Sequence, residues 1–236
     1  MMRIDLSFSY TEHFSNNGDV YIAIDVLRTS STITILLEKG IEEIRILPSL
    51  PLDEQRERLK QDYILVGEYE DKDIPGFDFS NSPYILNNHT FKKKKAALFT
   101  TNGTRAINAC PQGGKTIIAC FLNLSSVINY VSSMHPDHCV IILSGSKGKV
   151  CLEDTVCGGA VVERLADRVP SVDFDDGARM ALDFWKLMDK DAKKIASSTH
   201  AQELIKMDLD KDIEFCSRRD YLEAVGIVYQ GTVKPV

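Results

Sequence analysis

Asp25 stands directly behind the apolar run Val20-Tyr21-Ile22-Ala23-Ile24 and three residues ahead of Arg28. A carboxylate that closes an apolar strand needs water, a metal or a hydrogen-bond network beside it, because an unpaired buried carboxylate is costly. Asp25 could serve as a metal ligand or a nucleophile, or more plainly as a helix cap or the partner of Arg28. Arg28 and the hydroxyls Thr29, Ser30, Ser31 and Thr32 fall where a helix would start. Free backbone N–H groups at such a start favour an anion, and a guanidinium grips phosphate or sulfonate with two nitrogens. An ordinary Ser/Thr cap is the plainer alternative. Thr100-Thr101-Asn102-Gly103-Thr104-Arg105 repeats the chemistry, with Gly103 for close backbone approach, Thr104 as a cap and Arg105 as charge. It lacks the G-x-x-x-x-G-K-[ST] spacing of a Walker loop. Ser144-Gly145-Ser146-Lys147-Gly148 is either an anion-binding nest of backbone amides or a simple turn. Glu153 and Asp154 follow at a third helix start. With Asp25, Glu68 and Asp78 they supply enough oxygens for Mg²⁺, which prefers one or two carboxylates plus water and phosphate oxygens.

Weaker signals surround these. The five histidines show no H-E-x-x-H or other paired spacing. His200, in Ser-Ser-Thr-His-Ala-Gln-Glu-Leu, reads as a helix-start residue before it reads as an acid–base group. Cys157 reads as core rather than as a thiolate, since no histidine pairs with it. Arg218 and Arg219 read as surface residues, and residues 92–95, four lysines, as a solvated turn.

The elements that must position these groups follow one repeated phrase. An apolar run leads into a small polar, glycine-bearing cluster and then into a helix-like stretch, first at residues 20–40, again at 96–107 and a third time at 139–165. Gly40 stands where a C-cap glycine belongs. Further strands are expected at 43–47, 63–66 and 116–119. Helices are expected at 51–60, with Ser49 as cap, at 125–134 and at 176–188. Residues 67–83 read as a long connection, and such connections are often functional. After Pro170 the pattern predicts two or three helices and a short strand near residues 213–215. Strands alternating with helices predict an α/β fold: a largely parallel or mixed sheet flanked by helices on both faces, three layers in one domain that could hold two sub-lobes. In such sheets ligands bind at the carboxyl ends of the strands, where all three polar clusters could converge.

The chain has 236 residues, 44% hydrophobic and 26% charged, with a net charge of −6, the balance of a folded globular protein without a global positive field. No nucleic-acid or membrane partner is expected. The longest apolar runs fall far short of the roughly 20 residues of a membrane helix. The first residues reach a charge too soon for a signal peptide. Six scattered cysteines without a C-x-x-C pair read as reduced thiols. A cytoplasmic protein is expected, and a homo-oligomer is left open.

Taken in order, several of these segments resemble the 2-phosphosulfolactate phosphatase family. The matching elements are residues 24–32 (Ile-Asp-Val-Leu-Arg-Thr-Ser-Ser-Thr), Gly67-Glu68, Gly76-Phe-Asp-Phe-Ser-Asn-Ser-Pro83, Thr100-Thr-Asn-Gly-Thr-Arg-Ala106, and Glu153-Asp154 with Cys157 and Gly159. His200-Ala201 and residues 212–216 match more weakly. The resemblance implies an α/β, Mg²⁺-dependent phosphatase acting on a small anionic phosphoester, in the family's best-known role 2-phospho-3-sulfolactate on the way to coenzyme M. It places Asp25, Glu68, Glu153 and Asp154 around the metal. Arg28, Asn102, Thr104 and Arg105 would hold anionic groups of the substrate, with Thr29, Ser30, Gly103 and Lys147 beside them. Asp78 and Asn81 belong to the matching loop, Asn81 on the substrate side. Of the acidic and basic candidates, Asp25, Arg28, Glu153 and Asp154 would carry the reaction. The D-x-D signature of haloacid-dehalogenase phosphatases is absent, because Leu27 fills its second position. The chain departs from the family pattern at Tyr69, where arginine is frequent, at Ser80, where glycine is usual, at Gly158-Gly159, and in the lysine-bearing loop 146–149. Those departures bear on which anion fits rather than on the reaction type. Two other readings stay beside this one: a phosphatase of another small phosphorylated hydroxy acid, and a non-catalytic anion-binding protein on the same scaffold.

Overall fold

Apolar strands without a polar face need cover on both sides, and the structure, a computed structural model, supplies it. It describes residues 1–11, 17–111 and 113–236. The strands are β1 (Met2–Ser7), β2 (Val20–Ile24), β3 (Glu43–Ile46), β4 (Ile64–Tyr69), β5 (Lys72–Asp73), β6 (Phe79–Ser80), β7 (Lys95–Phe99), β8 (Lys115–Ala119), β9 (His138–Leu143), β10 (Val172–Phe174), β11 (Gly226–Tyr229) and β12 (Thr232–Pro235). The helices are α1 (Thr29–Glu38), α2 (Asp53–Asp62), α3 (Pro83–Asn87), α4 (Gly103–Ala109), α5 (Leu124–Ser133), α6 (Leu152–Ala166), α7 (Asp176–Leu187), α8 (Thr199–Ile205) and α9 (Asp210–Cys216).

The twelve strands form one mixed sheet in the order β10-β1-β9-β2-β8-β11-β12-β3-β7-β4-β5, with β6 on β4. Its first five strands are mutually parallel, as are β3, β7 and β4. The antiparallel hairpin β11–β12 joins the two blocks, pairing with β8 on one side and β3 on the other, so the blocks point in opposite senses. Strand twist of about 20–25° per step accumulates to roughly 100–125° between β2 and β7. This turn is what lets loops at the carboxyl ends of both blocks meet.

Alternation along β2 sorts its side chains. Val20, Ile22 and Ile24 face a core built with α5, α6 and α7. Tyr21 and Ala23 face a second core built with Ile33, Leu36 and Leu37 of α1. A smaller cluster of Leu47, Leu65, Ala97 and Phe99 lies under Leu59 of α2. The three-layer α/β expectation is met. Gly40 follows α1 at φ +84°, the left-handed geometry expected of a C-cap glycine.

Three local expectations are corrected. Residues 213–215 lie in α9, not in a strand. Asp210 and Asp212 complement the helix dipole at its first turn, and the alternation of Ile213 and Phe215 covers too few residues to outweigh that. Helix α2 starts at Asp53 with Leu52 before it, so Ser49 is not its cap; the Gln55 side chain accepts a hydrogen bond from the Leu52 N–H instead (2.9 Å). Pro51 keeps the residue before it out of the helical region. Residues 67–83 are not structureless, since they hold the end of β4 and the short β5 and β6.

Candidate active site

The register of the sheet decides which loops are neighbours. Ile24 is level with Leu143 of β9 and Ala119 of β8, so the segments after β2 and β9 leave the sheet side by side. Ser144 N–H donates to Ile24 O (2.8 Å). Asp154, in the first turn of α6, staples both loops: its two oxygens accept from the N–H groups of Val26 (2.8 Å) and Gly145 (3.1 Å). In the other block Gly67 is level with Phe99, which sets Glu68 beside Thr100 and Thr101. Glu68 accepts from the Thr101 N–H (2.6 Å) and hydroxyl (2.9 Å) and from the Asp71 N–H (2.7 Å). The blocks meet where the Thr29 and Thr100 hydroxyls hydrogen-bond (3.0 Å).

Gly103 sits at this junction. A Cβ built on it would lie 2.2 Å from Thr29 Oγ1 and 2.3 Å from Asp25 Oδ2, so only a glycine lets α4 start against the carboxylate. Thr104 bonds back to Thr100 through both its N–H and its hydroxyl, fixing that start. Asn102 Oδ1 accepts from the Lys147 N–H (3.2 Å), tying the second polar cluster to the third. Ser30 Oγ accepts from the Asp25 N–H (2.9 Å), and Asp25 Oδ1 accepts from the Thr29 N–H (3.2 Å).

The charge inventory is lopsided. Among the described residues the buried carboxylates are Asp25, Glu68, Glu153, Asp154 and Asp212, all within this network, and the buried basic side chain is Arg28. Arg28 Nη1 donates to Asp212 Oδ2 (3.1 Å), whose other oxygen accepts from the Ser82 hydroxyl (2.7 Å) and Tyr84 N–H (3.1 Å). Nη2 faces Asp71 Oδ1 at 3.5 Å. His200 lies between Asp71 (3.3 Å from Nε2) and Glu153 Oε1 (3.1 Å from Nδ1). The second oxygen of Glu153 is buried without a partner.

The electrostatics follow from burial. Desolvation pushes Asp25 up to about 6, against its hydrogen bonds from Thr29 and the His200 charge. Asp154 is raised well above the ordinary carboxylate range by burial first, and then by the charges of Asp25 and Glu153. Burial opposes a charged His200, yet hydrogen bonds to Asp71 and Glu153 hold its pKa up at about 10. Asp71 resists the same burial effect and is lowered by His200 and then Arg28.

Among the described residues no group of three or more His, Cys, Asp or Glu side chains is set out as a ready-made metal cage. The donors suit Mg²⁺ in its usual manner, through two carboxylates with water and phosphate oxygens for the remainder. The charges of Asp25 and Glu153 disfavour that of Asp154, and Glu153 brings an unpartnered oxygen. A divalent cation would relieve both.

The remaining sequence candidates divide. Lys147 is exposed at the mouth, on a cleft of about 570 Å³ shared with Ser146, Cys151, Glu153, Ser198 and His200. Arg105 is exposed on α4, while Asn81 is buried with its Oδ1 unpartnered, next to Ser82 of the Asp212 network. Asp78 is not drawn in: it is exposed and accepts from the Leu65 N–H (2.7 Å), earlier along β4 than Glu68. Cys157 is buried and its thiol pushed well up by burial, as expected of core. Asp71 and Asp212 are the contributors that residue types and spacing did not single out; His200, read first as a helix-start residue, does lie in the first turn of α8 and also reaches Glu153 and Asp71. A larger hollow of about 970 Å³ at the amino end of β2 has Asp19 as a lining carboxylate, and that side chain already accepts two backbone N–H bonds.

The mixed sheet and its flanking helices make this an α/β protein, and its candidate site lies at the carboxyl ends of strands, walled by helix starts, the usual place for ligands in such sheets. A family model described as 2-phosphosulpholactate phosphatase matches residues 8–231, and the chain belongs to that family of phosphoric monoester hydrolases. A Pseudothermotoga lettingae protein named "Probable 2-phosphosulfolactate phosphatase" is 38% identical over 210 residues, 88% of each chain. A Thermotoga petrophila protein of the same name is 33% identical over 211 residues, 89% of each chain. One from Clostridium perfringens is 29% identical over 243 residues, covering 100% of this chain and 97% of its own.

Proposed function

We propose that this protein hydrolyses 2-phospho-3-sulfolactate to 3-sulfolactate and phosphate with Mg²⁺, in a cytoplasmic reaction of the coenzyme M type. The observation that carries the reading is the confinement of every described buried carboxylate, with the buried arginine, to one end of the sheet. Folding alone would not select such a cluster, since each buried charge costs several kcal/mol unless paired. The family and the names of the relatives support the substrate.

In this reading Asp25 and Asp154 would hold Mg²⁺, with Glu68 behind them fixing Thr101. The ion, when bound, neutralises phosphoryl oxygens and lowers the barrier to attack. Arg28, oriented by Asp212, neutralises a further anionic oxygen, and the α4 start at Gly103 positions the phosphoryl group with Asn102, Thr104 and Arg105 near it. Glu153 Oε2 takes the proton of a water that adds to phosphorus as the ester P–O bond breaks. The alkoxide leaves toward the open cleft and is protonated by water there. His200 keeps Glu153 oriented through Oε1. Lys147 and Asn81 are assigned to the substrate's acid end.

Another small phosphorylated hydroxy acid is the second reading, favoured by one observation. Tyr69 is half-exposed, stacked on Phe99 with ring centroids 6.5 Å apart, at a position where the family often carries arginine. The test is phosphate release from racemic 2-phospho-3-sulfolactate, with Mg²⁺ and with EDTA, beside phospholactate and phosphoglycolate. Mg²⁺-dependent release fastest from the sulfonate is the expected outcome. Preference for a non-sulfonated acid selects the second reading. Binding without release from any of them would return the protein to the anion-binding class.

A further inference from the structure

The two carboxylates on Arg28 are not equivalent. Asp212 is buried, lies 3.1 Å from Nη1 and is held by Ser82 and Tyr84, so nothing from solvent can replace it. Asp71 is a quarter exposed and stands 3.5 Å from Nη2 and 3.3 Å from His200, longer than the 2.7–2.9 Å typical of charge-assisted bonds. Lys147 acts on it from the opposite loop as a third cation. Asp71 rides the two-residue turn between β4 and β5, where Glu70 (φ +51°) and Asp71 (φ +62°) are both left-handed. The turn backbone is anchored separately, by Glu70 N–H to Thr101 and Asp71 N–H to Glu68, so the side chain can swing outward while the turn stays in place. A partly exposed carboxylate facing an arginine, a histidine and a lysine at the rim of an anion site has the surroundings that a substrate's acid group requires.

We infer that Asp71 is a specificity-determining residue: its carboxylate fills the seat of the substrate's second acid group and surrenders it only to an acid tethered to an already seated phosphoryl. The inference rests on the reading of this site as one for phosphorylated acids. The discrimination comes from effective concentration. A carboxylate fixed to the protein competes as a tethered ligand, and free inorganic anions at ordinary concentrations do not match it. A substrate anchored through its phosphoryl group presents its sulfonate or carboxylate on equal terms. Asp71 thus keeps free anions off Arg28 while admitting the substrate.

The experiment is calorimetric titration of inorganic sulfate into the wild type, Asp71→Asn, Asp73→Asn and Arg28→Ala. Asparagine tolerates the left-handed turn position, so the first variant keeps the turn. Asp73→Asn removes the same charge from an exposed position on β5, and the carboxylates paired with Arg28 among the described residues are Asp71 and Asp212, not Asp73. Sulfate affinity is expected to rise at least fivefold in Asp71→Asn, to stay within twofold in Asp73→Asn, and to disappear in Arg28→Ala. Unchanged, weaker or undetectable binding in Asp71→Asn overturns the inference, as does an equal gain in Asp73→Asn. The titration needs no turnover, so its result is separate from whether the protein hydrolyses 2-phospho-3-sulfolactate.

Discussion

Two loops leave the carboxyl ends of the adjacent parallel strands β2 and β9, and they are built in opposite ways. Residues 25–28 are buried throughout; the Asp25 N–H is met by Ser30 at the start of α1, and the Val26 N–H and the Arg28 guanidinium are met by Asp154 and Asp212 from elsewhere in the fold. Residues 147–150 are exposed, and Gly145, Lys147 and Gly148 all take positive φ. One loop holds groups fixed against the desolvation cost of their charge. The other brings a long, hydrated side chain to the mouth without fixing it. The contrast separates groups that must be preorganised for chemistry from groups that only need to find an anion.

The strongest attempt to break that contrast is Asp25→Asn. Turnover is expected to fall by at least about 10³-fold, in the range for loss of a central catalytic group. Stability without divalent cation is expected to rise. Burial lifts the folded pKa of Asp25 to about 6, above the unfolded value near 3.9. Its ionisation therefore costs nothing well below pH 4, and the cost grows as pH rises through about 6. By the free-energy equivalent of that shift, thermal melts at pH 7.5 should favour the variant by on the order of 1–3 kcal/mol. At pH 3, below both values, the difference should vanish. An equal gain at both pH values would mean that burial of this charge is not its source.

Gly103→Ala comes next. The added methyl meets Asp25 and Thr29 inside 2.5 Å, and overpacking of this kind costs about 1–3 kcal/mol. Denaturant midpoints should fall accordingly, with activity down at least tenfold because the α4 start is displaced from the carboxylate.

Asp212→Asn tests whether the buried loop depends on a distant residue. It leaves the Arg28 guanidinium short of its buried partner, so KM is expected to rise about tenfold with a smaller change in kcat. An unchanged KM would make Asp212 a purely structural acid. The smallest effect belongs to the exposed loop. Lys147→Ala should raise KM two- to fivefold and leave the melting temperature unmoved, since exposed substitutions usually stay within about 0.5 kcal/mol. A large loss of kcat would place Lys147 among the preorganised groups after all.

The site was legible in the sequence wherever a polar cluster follows an apolar run. Asp25, Gly103 and Asp154 announce themselves in this way, because a strand end is the one place where a buried chain can expose ligand-binding groups. Asp71 was not legible. It sits in the string Glu68-Tyr-Glu-Asp-Lys-Asp73, where no spacing distinguishes one acid from another. Asp212 looks like an ordinary first-turn acid of a helix, and only the fold carries it across 184 positions to Arg28. The match of residues 212–216 to the family pattern was the one available signal. In the fold, buried strands such as β2 and β9 declare themselves by continuous apolar runs. The hairpin that joins the two blocks does not, because its four-residue strands are half exposed and punctuated by Gly226, Gly231 and Pro235.

That hairpin has a consequence for how the molecule is made. Val233 pairs with Ile44, and Ile227 with Ile117, so the strand pair that unites the sheet is drawn from residues synthesised long after its neighbours. Until residues 226–235 clear the ribosome, β8 and β3 each present an unpaired edge, the kind of surface on which nascent chains associate wrongly. The parallel block around β2 can collapse early, yet Thr29 and Thr100 cannot be held in register until the β11–β12 hairpin is in place. Assembly of the site therefore waits on that hairpin, and a chaperone that shields strand edges would act on this protein before the hairpin pairs.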